Sequence, residues 1–209
     1  MKMPFTTEQF FKVIENYNAS LFPTQFFILI IGIAAVFLLH HKRAIKNKLI
    51  GGFLGFIWIW IGIVYHLSFF IEINKAAYGF GVLFIVQGIF FLFETFSTKR
   101  LVFEFKGSFI GLIGYFLIWF GLIIYPALIY SAKTSVYEVI SLGLPCPTTI
   151  LTFGFMMLTH RSFSKYLLII PTIWAVIGTG AAINFGIYAD YVMIVSAILA
   201  NIYLIARKK

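Results

Sequence analysis

Apolar positions in this chain neither alternate with polar ones nor trace a single helical stripe. They run on unbroken, separated by short basic, proline-containing or Asn-containing breaks. The runs cover 23–40, 49–70, 78–97, 109–130, 146–159, 166–186 and 188–206. Crossing roughly 30 Å of hydrocarbon as a helix takes about 20 residues, so the pattern predicts an all-α, polytopic transmembrane bundle of about seven spans. The fifth run is short and makes a full span only with Thr159 and His160 at the interface, which keeps six spans as the alternative. Ahead of the first run the pattern changes. Thr6-Thr-Glu-Gln9 has the spacing of a capping box, in which Thr6 and Gln9 satisfy each other's backbone N–H. Phe10, Phe11, Ile14 and Tyr17 then fall on one side of a helix and Glu8, Lys12, Glu15 and Asn16 on the other. A short amphipathic helix within 1–22, resting in the outer headgroup region, followed by a single bundle over 23–209, is the expected organisation.

Composition strengthens this picture. Hydrophobic residues make up 61% of the 209 and charged residues only 11%, against about 25% charged in soluble domains. The formal charge of +9 raises the question of a nucleic-acid partner, and the placement of the basic residues answers it. With seven spans, one side of the membrane carries twelve (Lys42, Arg43, Lys46, Lys48, Lys99, Arg100, Lys106, Arg161, Lys165, Arg207, Lys208 and Lys209) and the other carries four (Lys2, Lys12, Lys75 and Lys133). This is the asymmetry of a cytoplasmic face, so the N-terminus is expected outside and the C-terminus inside, with membrane lipids and not nucleic acid as the partners. Basic residues follow the first apolar run instead of preceding it, so that run reads as a retained span and not a cleaved signal. A single cysteine forms no internal disulfide.

Two internal matches stand out. Gly52, Gly55, Trp60 and Gly62 recur as Gly111, Gly114, Trp119 and Gly121 at an offset of 59, and Ile73, Asn74, Tyr78 and Val82 recur as Ile183, Asn184, Tyr188 and Val192 at an offset of 110. Both duplication and chance in so Gly- and Phe-rich a chain account for them. The glycines at one-turn spacing, Gly51, Gly52 and Gly55 and again Gly107, Gly111 and Gly114, suit close helix packing, and Gly178, Gly180 and Gly186 are open to the same use.

Polar groups inside lipid are costly and mark partners or pathways. Gln87 and Thr152 fall near the midplane, whereas Tyr65, His66, Asn74, Tyr125, Cys146, Thr148, Thr149, Asn184 and Asp190 gather toward the outer face. His66 suits a proton switch or an interfacial hydrogen bond, with Asp190 as a matching carboxylate. No HxxxH or CxxC spacing supports a metal, and no motif calls for a cofactor. In Gly143-Leu-Pro-Cys-Pro-Thr-Thr149, Pro147 suits the first helical position, which makes Cys146 the expected N-cap. Thr148 and Thr149 would then leave backbone donors at the positive end of a helix dipole. Cys146 reads as a small packed residue, a functional thiol or part of a substrate mouth. The four tryptophans, Trp58, Trp60, Trp119 and Trp174, lie well inside their runs and suit packing over a lined pathway.

The run Trp58-x-Trp60-x-Gly62-x-x-Tyr65-His66-x-x-Phe69-Phe70-x-x-Ile73-Asn74-x-Ala76-Ala77-Tyr78, the later Pro145-Cys-Pro-Thr-Thr149 and the start Pro4-Phe-Thr-Thr-Glu-Gln9 resemble DUF6064, a family of small bacterial multi-pass membrane proteins. The resemblance implies a bacterial cytoplasmic-membrane location and brings no activity, substrate or catalytic residue. A lysine deep in the last span, as retinal binding requires, is absent, and so is the Pro-Gln signature of seven-span sugar transporters. The polar inventory favours a facilitative channel or permease for a small solute or ion. A lipid- or partner-binding bundle and a thiol-dependent membrane enzyme are the competing readings, and a homo-oligomer fits any of them.

Overall fold

The computed structural model describes residues 4–133, 135–159 and 163–206; Lys2, His160, Arg161 and the basic tail 207–209 lie outside them. Among the described residues the fold is all-helical, without strands. Thr6 caps α1 (Thr7–Leu21), and both capping-box bonds form, Gln9 N to Thr6 Oγ1 at 3.2 Å and Thr6 N to Gln9 Oε1 at 2.9 Å. Pro23, which has no N–H to continue a ladder, lies at the break before α2 (Thr24–Leu38), and the two helices meet at 87°. α3 (Ile45–Trp60) continues as a π-helix over Ile61–Phe69, and α4 (Ala77–Leu92) ends in one over Phe93–Ser97. α5 (Phe109–Trp119) passes through a π-helical turn, Phe120–Ile124, into α6 (Tyr125–Ser131). α7 (Pro145–Met157), α8 (Ile169–Phe185) and α9 (Tyr191–Ala206) complete the bundle.

Five continuous helical segments are long and apolar enough to cross a membrane, namely Ile45–Glu72, Ala77–Ser97, Phe109–Ser131, Lys165–Phe185 and Tyr188–Ile205; the bent α1–α2 pair makes a sixth if taken as one. The expected count of about seven differs for two physical reasons. α2 is cut to 15 residues by the break at Pro23. α7 has 13 residues, about 20 Å of helix, and nearly every one of them is buried by its neighbours. An all-round apolar sequence therefore marks the central helix of the bundle here, not a lipid-facing one.

Small residues set the closest approaches. A Cβ on Gly88 would lie 2.6 Å from the Gly55 carbonyl, and one on Gly81 would lie 3.0 Å from that of Gly62, locking α4 against α3. A Cβ on Gly154 would lie 2.6 Å from the Gly114 carbonyl, and one on Gly121 would lie 2.6 Å from that of Pro147, locking α7 against α5. Gly107 has open space instead, so only part of the predicted glycine stripe packs. The offset of 59 reappears in three dimensions: the π-helical segments begin at Ile61 and at Phe120, directly after the matched Trp60 and Trp119.

α1 is docked on the bundle and not merely laid beside it. Tyr17 Oη donates to Gly143 O at 2.9 Å and accepts from Trp60 Nε1 at 2.9 Å. Asn18 Nδ2 donates to the carbonyls of Tyr137 and Val139 at 2.7 and 2.9 Å. The apolar face predicted from the sequence is the docked one, with Ile14 and Tyr17 buried, while Glu8 and Lys12 stay exposed.

Candidate functional site

A cavity of about 640 Å³ lies at the end of the bundle where α3 finishes and α7 and α9 begin. Three structural details make it. The segment leading into α1 and the first half of that helix lie across it, with Phe5 against Phe70 (5.4 Å between ring centroids) and Phe10 stacked on Phe185 (4.9 Å). Gly186, at φ 67°, closes α8 in a left-handed cap, and the chain turns back so that Asp190 enters the cavity wall. On α8, Gly178 and Gly180 carry no side chain into the space between helices, and nothing lies within 4 Å of a Cβ at Gly180.

The wall is overwhelmingly apolar and aromatic. Tyr65, Phe70, Phe80 and Trp174 line its core side, and Val176 and Ile183 border it from α8. These last two are 60% and 64% exposed, so the mouth opens along the apolar flank of the bundle. Of the predicted site residues, Tyr65, Asn74, Cys146, Asn184 and Asp190 are brought together here, although they come from three separate stretches of chain, 65–74, 146 and 184–190. Tyr125 stands behind Asp190 and donates to its Oδ1 at 2.5 Å. The Cys146 thiol lies beside both the Asp190 carboxyl and the Trp174 indole. The two asparagines of the 110-residue match, Asn74 and Asn184, meet at the same cavity.

Other predicted members do not reach it. His66 is fully buried among the rings of Tyr65, Phe70, Phe80, Phe84 and Trp174, and neither imidazole nitrogen has a hydrogen-bond partner. It makes no pair with Asp190 or Cys146. The first turn of α7 also differs from expectation. Pro145, not Pro147, opens the helix, so Leu144 occupies the cap and Cys146 lies within the first turn. Thr149 Oγ1 donates back to Pro145 O at 2.8 Å and Thr152 Oγ1 to Thr148 O at 2.7 Å, while Thr148 Oγ1 accepts from Gly143 N at 3.3 Å. These hydroxyls are consumed by α7 and its entry loop and present nothing to a ligand. Near the midplane, Gln87 Nε2 donates to Leu167 O at 3.0 Å and Trp58 Nε1 to Thr152 Oγ1 at 3.0 Å, within a layer that is wholly buried.

Sequence reasoning overlooked the aromatic wall, for which the signal was Trp174 and the Phe-rich turn at 69–70. It also overlooked Glu94, a buried carboxylate at the opposite end that accepts from Tyr166 Oη at 2.6 Å and Thr98 Oγ1 at 3.0 Å. Among the described residues no cluster of three or more His, Cys, Asp or Glu side chains is placed to hold a metal.

Fold and site together define an all-helical bundle, with helices apolar enough to cross a membrane, that encloses an aromatic-walled cavity at one end. The chain belongs to DUF6064, a family of unknown function, whose model matches residues 7–209. No curated protein and no solved structure matches it.

Proposed function

We propose that this protein is a multi-pass protein of the bacterial cytoplasmic membrane, with about seven passes when the short α2 and α7 are counted beside the five long segments, α1 at the outer face and the C-terminus inside, and that it binds a small apolar or amphiphilic molecule in the end cavity. The observation that carries this reading is the cavity itself: a volume in the range of small-molecule sites, roughly 300–1,000 Å³, with apolar walls and a mouth bordered by the exposed Val176 and Ile183. Such a mouth admits a ligand from hydrocarbon without passage through water. A facilitative route, as the polar inventory suggested, additionally requires the layer of Trp58, Phe84, Gln87 and Thr152 to part, and each of these is at most 1% exposed. Thiol-dependent catalysis is disfavoured because, among the described residues, no imidazole or cation stands beside Cys146 to hold a thiolate.

The test is saturable binding of N-phenyl-1-naphthylamine, a neutral lipophilic fluorophore, to the protein in lipid nanodiscs. Gly180→Leu fills the cavity without a clash at its Cβ and is expected to weaken binding about tenfold, the scale of losing one well-filled apolar contact region. Equal binding by the variant and the parent would refute a ligand site here.

A further inference from the structure

Charge complementarity deepens the reading of the cavity as a ligand site. Resting on that reading, we infer that the ligand is a lipophilic organic cation, seated with its positive charge against Asp190 and its apolar groups among the surrounding rings.

Asp190 is 2% exposed. Its Oδ1 is held by the Tyr125 hydroxyl, and its other close polar neighbour is the Cys146 thiol, a weak donor. The carboxyl stands at the start of α9, where capping its own helix is the ordinary use of an aspartate. It makes no hydrogen bond to a backbone N–H of α9; it is turned toward Tyr125 and the cavity. Among the described residues, no Lys, Arg or His lines the cavity. At this end of the bundle, Lys133 is spent on Glu138 at 3.3 Å and on the face of Phe11, Lys12 pairs with Glu15, and Lys75 is exposed. His66 is sealed behind Tyr65 and Phe70.

A carboxyl with no counter-charge among the described residues, facing a space whose walls are mostly apolar, selects by sign. An anion would meet nothing basic among the described lining residues, and a neutral ligand would gain nothing from the carboxyl's charge. An inorganic cation needs about six oxygen ligands to replace its hydration, and the side-chain oxygens lining this cavity come from Asp190, Tyr65, Asn74 and Asn184 alone among the described residues. An organic cation needs no such shell. Its charge is satisfied by one carboxylate together with aromatic faces, which attract cations through the ring quadrupole, and Tyr65, Phe70, Phe80, Trp174, Phe5 and Phe10 supply those faces.

Tetraphenylphosphonium and tetraphenylborate have nearly the same shape and opposite charge, so their competition against bound N-phenyl-1-naphthylamine in nanodiscs isolates the sign once each is corrected for its own partition into protein-free nanodiscs. The phosphonium is expected to displace the fluorophore at least about tenfold more effectively than the borate. Asp190→Asn is expected to bring that ratio close to one, each ion's competition being read against the variant's own fluorophore affinity, and Asp190→Glu to restore part of it. Equal competition by the two ions in the unmodified protein, or undiminished preference in Asp190→Asn, overturns the inference and leaves the cavity reading standing. Failure of the fluorophore to bind at all removes the cavity reading first. If Asp190→Asn does not fold, the comparison in the unmodified protein decides alone.

Discussion

Tyr125 and Asp190, 65 residues apart in the chain, are joined by a buried 2.5 Å hydrogen bond that ties the start of α6 to the start of α9. The bond fixes the carboxyl's orientation at the closed end of the cavity. An amide oxygen can accept from Tyr125 as a carboxylate does, so Asp190→Asn should melt within about 1 kcal/mol of the parent, whereas Asp190→Ala and Tyr125→Phe each leave a buried polar group without its partner, at a cost of about 1–3 kcal/mol. Thermal denaturation in detergent checks the order. Equal losses for Asp190→Asn and Asp190→Ala would show that the bond is not formed.

His66 occupies a fully buried aromatic box in which neither ring nitrogen is satisfied. Burying a polar ring without partners costs free energy that an apolar ring of similar shape does not incur. His66→Phe is therefore expected to raise the melting temperature, by a free energy of about 1–2 kcal/mol, and to leave ligand binding intact. A clear drop in the melting temperature would reveal a partner that the imidazole needs.

The glycines of the two helix pairs should not be interchangeable with those elsewhere. Gly88→Ala and Gly154→Ala place a Cβ 2.6 Å from a facing carbonyl oxygen, and overpacking of this kind costs about 1–3 kcal/mol. Gly79→Ala and Gly107→Ala meet nothing within 4 Å and should change stability little. Side-by-side expression and melting of the four variants tests this, and tolerance of Gly154→Ala would mean that α5 and α7 do not approach so closely.

The proposed topology makes its own prediction. In a Cys146→Ala background, cysteines placed at Lys48 and Lys99 should react with a membrane-impermeant maleimide only after the inner face is opened. Those at Lys75 and Ala132 should react from outside in intact cells. Matching accessibility at Lys48 and Lys75 would remove the crossing by α3.

Much of the local structure was legible. The capping box at Thr6 and Gln9 forms as spaced, because a cap is a contact between residues three apart. The gathering of Asn74, Asn184, Cys146 and Asp190 at one end followed from counting depth along antiparallel helices. What depth could not give was rotation. His66 and Tyr65 are adjacent and so point roughly 100° apart on a helix; Tyr65 faces the cavity and His66 a sealed box, and the π-helical stretch Ile61–Phe69 removes the α-helical wheel from which that facing would have been read. Thr148 and Thr149 were placed at the right end and assigned the wrong work, since the hydroxyls found partners within their own helix and entry loop.

By itself the sequence determined that the chain is a bundle of apolar helices with a capped amphipathic helix in front, because transfer from water and local capping depend only on residue type and near-neighbour spacing. Tertiary structure alone decided that α7 is the buried centre, that Gly55 meets Gly88 and Gly114 meets Gly154, and that Asp190 faces an aromatic cavity. In a chain that is apolar on every face, hydrophobicity no longer distinguishes one helix side from another. The choice then falls to shape and to the pairing of a few polar groups, which exist only once the helices are packed.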